Sequence, residues 1–196
     1  MRILYALIFL QIISCGKKPS EEHHPLTIII QPFADVSDEE TRKVAEKLKE
    51  LYPHIMVKEK ISLPAGAYYA PRKRYRADSL IAYLSRLTGR GNVTIGLTCS
   101  DISTTKNGIE DWGVMGLGFQ PGNACIVSDF RLAKNKKLAQ LPKVAIHELG
   151  HTQGLPHCNE KSCFMRDAEG GNHTDEEVAF CTKCKKVMIN KGWEFE

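Results

Sequence analysis

Three histidines and one glutamate in one short stretch of the chain have the types and the spacing of a catalytic zinc site. His147 and His151 are four residues apart, so on a helix their imidazoles lie on the same face. Glu148 follows the first histidine, where its carboxylate can contact a zinc-bound water without binding the ion. Gly154 permits a sharp turn, after which His157 returns as a third ligand. Three protein ligands leave the fourth tetrahedral position for water, which is typical of a catalytic zinc.

The full spacing His-Glu-x-x-His-x-x-Gly-x-x-His is the signature of the metzincin metallopeptidases. The alternative is an amphipathic helix with surface histidines, because short motifs also recur by chance. Residues 144–149 supply the apolar packing surface of this helix. Pro142 is expected in its first turn, where the missing N–H of proline costs least.

Four cysteines follow the third histidine: Cys158, Cys163, Cys181 and Cys184. Their C-x4-C and C-x2-C pairs can supply four thiolates to a tetrahedral structural zinc. Disulfides are the alternative, because an exported protein meets an oxidising compartment. Either kind of cross-link would stabilise the C-terminal tail, which has too few apolar residues to form a core of its own.

The Thr-Asp-Glu-Glu sequence at residues 174–177 has the form of a helix-capping box. It predicts a final helix in which Cys181 and Cys184, three residues apart, share one face. Cys99 and Cys125 remain, and both lie in or beside predicted strands. They either pair with each other or are two buried free thiols.

Taken together, these motifs resemble the archaemetzincin family over roughly residues 26–192. The resemblance is carried by the motif from His147 through Cys158 and Cys163 to Met165, by the pair Cys181 and Cys184, by residues 63–87, and by the Gly-Leu-Thr-x-x-Asp segment at residues 96–101. It implies a zincin-like metzincin fold of the α+β class. A twisted mixed β-sheet, a backing helix and a zinc-binding helix would be joined to a small C-terminal helical subdomain. It also implies that a methionine-containing turn at Met165 passes beneath the zinc, and that the four cysteines hold a second zinc.

The predicted function is zinc-dependent hydrolysis of peptide bonds. His147, His151 and His157 would hold the ion, and Glu148, as general base, would take a proton from the zinc-bound water and pass it to the leaving amine. The alternative is a zinc-binding envelope protein of the same fold that binds peptides or partners without cleaving them. A scaffold whose zinc is purely structural is a third possibility.

Several elements must position these groups. Glycine-rich residues 112–119 predict one edge strand bordering the cleft, where a substrate peptide could add as a further strand. Other strands are predicted from runs of β-branched and apolar residues, or from alternation, at residues 26–31, 55–61, 92–98 and 124–128. Amphipathic helices are predicted from a capping box at residues 37–40 to about residue 52, and at residues 78–87. This order favours a mixed sheet backed by helices.

The first residues have the pattern of a secretory leader, a short positive start followed by an apolar run too short to span a membrane. The small residue before Cys15 resembles a bacterial lipobox, which implies cleavage before Cys15 and its lipidation. Residues 1–14 would then be a signal peptide and residues 15–25 a lipidated tether in the bacterial cell envelope. An uncleaved anchor or a plain secreted protein is the alternative.

The remaining chain is divided into a catalytic subdomain at residues 26–157 and a small C-terminal subdomain at residues 158–196. The net charge of +4 is mild, and no dense basic tract with interleaved aromatic residues suggests nucleic-acid binding. We expect a monomer that acts on a peptide or protein substrate and meets the membrane through its lipid.

Overall fold

The computed structural model describes residues 25–195, so the leader and Cys15 lie outside the described residues. The described strands are β1 (Thr27–Pro32), β2 (Ile55–Val57), β3 (Tyr68–Tyr69), β4 (Arg74–Arg76), β5 (Asn92–Thr98), β6 (Ile102–Lys106), β7 (Ile109–Val114), β8 (Gly116–Gly118) and β9 (Ala124–Ser128). The described α-helices are α1 (Asp38–Lys49), α2 (Ala77–Leu87), α3 (Lys137–Thr152) and α4 (Thr182–Ile189). None of the helices within these residues is long and apolar enough to cross a bilayer.

The main sheet has five strands in the order β2-β1-β5-β9-β8. The first four are parallel, and β8 pairs with β9 in the antiparallel sense at one edge. Inner parallel strands are covered on both faces and are therefore apolar along their whole length. For this reason β5 and β9 have the predicted bounds, residues 92–98 and 124–128.

Helices cover both faces of this sheet. Along β9, Cys125 and Val127 face the layer of α1 and α3, whereas Ala124 and Ile126 face α2. The predicted mixed sheet backed by helices is present. A second sheet, in the order β3-β4-β6-β7, continues the structure beyond α2 and forms one wall of the cleft.

The glycine-rich residues 112–119 are not one strand, as the sequence had suggested. The chain passes from β7 in the second sheet to β8 in the main sheet at Met115. The glycines serve separate close contacts. A Cβ at Gly113 would lie 2.1 Å from the Arg131 guanidinium, and one at Gly116 would lie 2.5 Å from Oε1 of Glu148. Spacing alone does not distinguish one glycine-rich strand from two.

The first helix begins as its sequence predicts. Glu40 N–H donates to Ser37 Oγ (3.1 Å), and Ser37 N–H donates to Glu40 Oε2 (3.0 Å), so both halves of the capping box are present. The helix ends at Lys49, before the predicted residue 52.

Two other predicted element bounds are wrong. Helix α3 begins at Lys137, so Pro142 lies inside the helix rather than in its first turn. Proline removes the donor for the carbonyl of Leu138, and this residue is 38% exposed, so water can replace the lost bond. The strand predicted at residues 55–61 is limited to β2, and Ile61 makes only an isolated bridge with Phe33.

The predicted capping box at residues 174–177 is absent. The Thr174 hydroxyl donates to Asn172 Oδ1 (2.7 Å), and residues 174–176 form a turn. Helix α4 begins after Cys181, its N-cap, so Cys184 lies in its first turn.

The C-terminal tail has more apolar anchors than its sequence suggested. Its buried side chains belong to the same cluster as α1 and α3: Phe164, Phe180, Met188 and Trp193. The tail therefore packs as part of the main core.

Candidate active site

Three imidazoles converge at the C-terminal end of α3. His147 and His151 are one helical turn apart, and the positive φ of Gly154 (97°) turns the chain so that His157 returns to them. Nε2 of His151 lies 3.1 Å from Nε2 of His147 and 3.2 Å from Nε2 of His157. A tetrahedral zinc with Zn–N of 2.0–2.1 Å sets its nitrogen ligands about 3.3 Å apart. The donor set therefore fits a zinc ion.

The two helical histidines are held in the tautomer that a metal requires. Nδ1 of His147 donates to the Phe164 carbonyl (2.7 Å), and Nδ1 of His151 donates to the Leu155 carbonyl (2.8 Å). A carbonyl can only accept, so the proton lies on Nδ1 and the Nε2 lone pair faces the centre. Burial, with repulsion from His151, lowers the pKa of His147 to about 3, and burial also lowers the pKa of His151. Both rings are therefore neutral at pH 7.

The third histidine has a carboxylate partner instead. Nδ1 of His157 lies 3.2 Å from Oδ2 of Asp167. A carboxylate in this position orients the ring and makes the opposite nitrogen a stronger ligand. Asp167 carried no recognisable signal in the sequence, because only the fold brings this loop back to the histidine.

Glu148 lies on the cleft side of α3 against β8. The side chain is 6% exposed and lines the same cleft as the three histidines. Burial raises the pKa of Glu148 to about 8, against the opposing effect of a hydrogen bond from the Gly118 N–H. A Cβ at Gly118 would lie 2.6 Å from the Glu148 carbonyl oxygen, so the close approach of β8 requires glycine.

Met165 is fully buried. A Cβ at Gly150 would lie 2.3 Å from its sulfur, so the methionine packs directly against α3 beside His151. The Met165 carbonyl also accepts the N–H of Cys158 at 2.7 Å. This turn therefore links the helix to the cysteine-rich tail.

The four tail cysteines form a second cluster, with all four sulfur atoms within 4.8 Å of one another. Sγ of Cys158 lies 3.7 Å from Sγ of Cys181. Sulfurs around a tetrahedral zinc are about 3.8 Å apart, since Zn–S is about 2.3 Å, whereas a disulfide bond is about 2.05 Å long. These distances fit a shared metal.

The thiols of this cluster are unequal in acidity. Burial tends to raise the pKa of Cys181, but hydrogen bonds from the Cys184 backbone and from the other thiols lower it to about 7. Burial and the neighbouring Cys163 sulfur strongly raise the pKa of Cys184. A cation would relieve this disparity, because it favours every thiolate at once.

The other two cysteines are separate free thiols in the structure. Cys125 is fully buried in β9. Cys99 donates its S–H to the Asp35 carbonyl (2.9 Å), and burial together with the Asp35 charge raises the pKa of Cys99 to about 11. Neither thiol is in a setting that activates sulfur.

The cleft around the three histidines has a volume of about 790 Å³. Its walls are the β6–β7 hairpin, β8, the middle of α3 and residues 166–177. Titratable residues that line it besides the histidines of the motif and Glu148 are Lys106, Arg131, Arg166, Asp167, His173 and Glu177. The sequence pattern had assigned Glu177 to a helix cap, so its place in the cleft was missed.

The model of peptidase family M54 matches residues 29–190 of the chain. The archaemetzincin of Haloarcula marismortui is 30% identical over 174 residues, which cover 82% of this chain and 98% of that protein. The archaemetzincin of Methanocaldococcus jannaschii is 28% identical over 177 residues, which cover 85% of this chain and 95% of that protein.

Solved structures share the fold. The crystal structure of archaemetzincin from Methanopyrus kandleri has a TM-score of 0.73 and 26% identity, with 89% of this chain and 98% of that chain covered. Archaemetzincin from Archaeoglobus fulgidus, complexed with malonate, has a TM-score of 0.70 and 27% identity, with 83% and 99% covered. The predicted α+β, zincin-like fold class is thereby confirmed.

Proposed function

Because the chain belongs to peptidase family M54, the archaemetzincins, it is a zinc metallopeptidase, and we propose that Glu148 is the general base of its peptide-bond hydrolysis. The family predicted from the sequence motifs is confirmed. The observation that supports the proposed mechanism is the convergence of three Nε2 atoms in the cleft that the Glu148 carboxylate lines.

His147, His151 and His157 would hold the catalytic zinc through these nitrogens. When bound, zinc supplies a Lewis acid that polarises the scissile carbonyl and lowers the pKa of water towards ~7. Because the two helical rings are neutral and oriented by backbone carbonyls, they bind a cation without first losing a proton.

Glu148 would take the proton of the attacking water on a carboxylate oxygen and deliver it to the leaving amine nitrogen. In the metal-free protein burial raises the pKa of Glu148 to about 8, and a bound zinc would favour the ionised carboxylate that accepts the first proton. The Gly118 N–H holds the side chain towards the cleft. The free edge of β8 can bind the substrate backbone as an added strand.

A second zinc is proposed for Cys158, Cys163, Cys181 and Cys184, with a structural role. The 3.7 Å sulfur separation and the mutual approach of all four thiols support a tetrahedral ion, which closes the site to substrate. The tail residues that carry Met165 would then be fixed relative to α3.

The test uses the full-length protein loaded with zinc and a peptide library whose products are identified by mass spectrometry. The wild type should cleave a subset of the library. Glu148→Gln should keep the wild-type zinc content and lose at least ~100-fold in kcat/KM. Wild-type activity in that variant would remove Glu148 as the base, and a zinc-loaded wild type that binds peptides but cleaves none would overturn the proposed hydrolysis.

A further inference from the structure

Glu177 is a buried carboxylate in the cleft that the proposed mechanism does not use. The residue is 5% exposed, yet it lines the cavity. Within residues 25–195, no hydrogen bond or ion pair involves its carboxylate oxygens, and these oxygens keep some accessible surface in the cleft. Burying a charge without a partner is costly, so this arrangement invites a cation from elsewhere.

Three other charged side chains of the cleft, those of Arg131, Arg166 and Asp167, are already partnered. Arg131 donates to both oxygens of Asp101 at 2.8 and 3.0 Å. Arg166 donates to Glu176 at 2.7 Å, and Asp167 pairs with the third histidine. The unpaired negative charge available to a substrate cation is therefore that of Glu177, rather than that of these partnered groups.

The backbone of Glu177 is fixed to the first half of α3. Lys143 donates to the carbonyls of Thr174 and Glu177, both at 2.7 Å, and Gln140 donates to Asp175 at 2.9 Å. These bonds place the glutamate beside the part of α3 that precedes the histidines, where Val144 also lines the cleft.

The direction of a bound peptide follows from the contacts of β8. Gly116 faces the Glu148 side chain, and Gly118 faces the Glu148 carbonyl and His151, so β8 runs in the same direction as α3. A peptide that pairs antiparallel with the free edge of β8 runs the opposite way. The substrate residue after the scissile bond then lies on the side of Val144 and Glu177.

We propose that Glu177 selects substrates that carry lysine or arginine directly after the scissile bond. This inference rests on the proposed peptidase function and adds a substrate class to it. A cationic side chain placed there gains the Coulomb attraction of a largely desolvated carboxylate, and a neutral or acidic one leaves that charge unpaired.

The groups that face Glu177 are of both signs. Burial raises the pKa of Glu177 to about 7, Lys143 and Arg166 act to lower it, and Glu176 acts to raise it. The Lys143 ammonium donates to the backbone carbonyls rather than to the Glu177 carboxylate. It therefore weakens the negative potential at the carboxylate but leaves the carboxylate free to pair with a substrate cation. Assays at pH 8 keep the carboxylate mainly ionised.

The experiment compares quenched fluorogenic peptides built on a sequence that the wild type cleaves. They differ only in the residue after the scissile bond, which is lysine, arginine, methionine or glutamate. With the zinc-loaded full-length protein, kcat/KM for lysine should exceed that for methionine about tenfold or more. In Glu177→Gln this ratio should fall to near one, while the methionine peptide stays within about twofold of its wild-type value.

Glu176→Gln is the matched control, because its side chain is 59% exposed and pairs with Arg166 instead of facing a substrate. It should keep the lysine preference. If Glu177→Gln does not fold, Glu177→Asp replaces it. The retracted carboxylate should favour the longer arginine side chain, so the ratio of arginine to lysine cleavage should rise.

Each outcome decides one proposal. Three results would overturn the role of Glu177 and leave the proposed peptidase activity intact. The wild type shows no preference for a basic residue, the preference survives in Glu177→Gln, or the arginine-to-lysine ratio is unchanged in Glu177→Asp. A zinc-loaded wild type that cleaves no peptide overturns the proposed function itself, which the library assay reveals before any variant is made.

Discussion

The buried carboxyl group of Glu148 makes the stability of the metal-free protein depend on pH. Its pKa is about 8 in the folded chain and about 4.5 when exposed. Between these values the folded state holds a proton that the unfolded state has lost, so stability falls as pH rises through this window. Above pH 8 the loss is complete.

We therefore expect Glu148→Gln to stabilise the metal-free protein at pH 9 by on the order of a few kcal/mol relative to wild type, and to change its stability little at pH 5. Urea unfolding of both proteins at the two pH values measures this difference. Zinc-loaded protein is the control, because a nearby cation favours the ionised carboxylate and should reduce the slope. Parallel pH profiles of wild type and variant would contradict the burial effect.

Asp167 is expected to position His157. Asp167→Asn removes the charge that faces Nδ1 of the histidine, so the affinity of the three-histidine site for zinc should fall about 10–100-fold. Competition with a chromophoric chelator measures this affinity directly. Asp175→Asn is the control, because Asp175 contacts Lys136 and Gln140 and no histidine. Equal zinc affinity in wild type and Asp167→Asn would show that the ring needs no carboxylate.

The close packing of β8 against α3 requires glycine at position 116. In Gly116→Ala the new methyl would meet Glu148 at 2.5 Å and displace its flexible carboxylate. A displaced base should lower kcat/KM about 10–100-fold while zinc content and fold are kept. Gly66→Ala is the matched control, since a Cβ there meets nothing within 4 Å. Unchanged kinetics in Gly116→Ala would mean that this contact does not set the position of Glu148.

Patterns of neighbouring residues correctly predicted the elements whose environment is the same along their whole length. Strands β5 and β9 are apolar on both faces, and the reciprocal Ser37–Glu40 bonds need only one helical turn. The convergence of the three histidines likewise follows from one turn of helix and one glycine.

Other features depend on distant contacts and were not readable from local patterns. The glycines of β7 and β8 lie against Arg131 and Glu148, which are remote in sequence, while the two strands belong to different sheets. Strand β6 is polar along its outer half, because it lies away from the main core. Glu177 matched a helix-cap spacing, but the Thr174 hydroxyl bonds to Asn172 instead of capping a helix, and Glu177 lines the cleft.

The cysteine cluster cross-links the C-terminal tail, whose first residue, Cys158, directly follows the third histidine. Cys184→Ser should reduce the zinc content from two ions per chain to one and lower the melting temperature, since a structural zinc contributes directly to folding. Elemental analysis and circular dichroism measure the two effects. Cys99→Ser is the control, because its thiol lies outside the cluster and bonds only to Asp35. Two zincs retained in Cys184→Ser would contradict the proposed ligand set.

We propose that Cys15, which precedes the matched residues 29–190, carries a lipid anchor, as the lipobox-like leader predicts. Cys15→Ala should move the protein from the membrane pellet to the supernatant after cell lysis. Cys99→Ala should remain in the pellet with the wild type. Membrane association that is unaffected by Cys15→Ala would contradict lipidation at that residue.

Tyr52 joins the two ends of the described chain. Its hydroxyl donates to the Leu26 carbonyl, its ring packs 5.4 Å from that of Trp193, and the Glu194 N–H donates to the neighbouring Leu51 carbonyl. Ends that meet on one side chain can be joined by a short linker without disturbing the core. A circular permutant would connect residue 195 to residue 25 and begin at the exposed turn at residues 88–91. We expect this permutant to keep the fold and the cleft, so that the structure does not depend on where the chain starts.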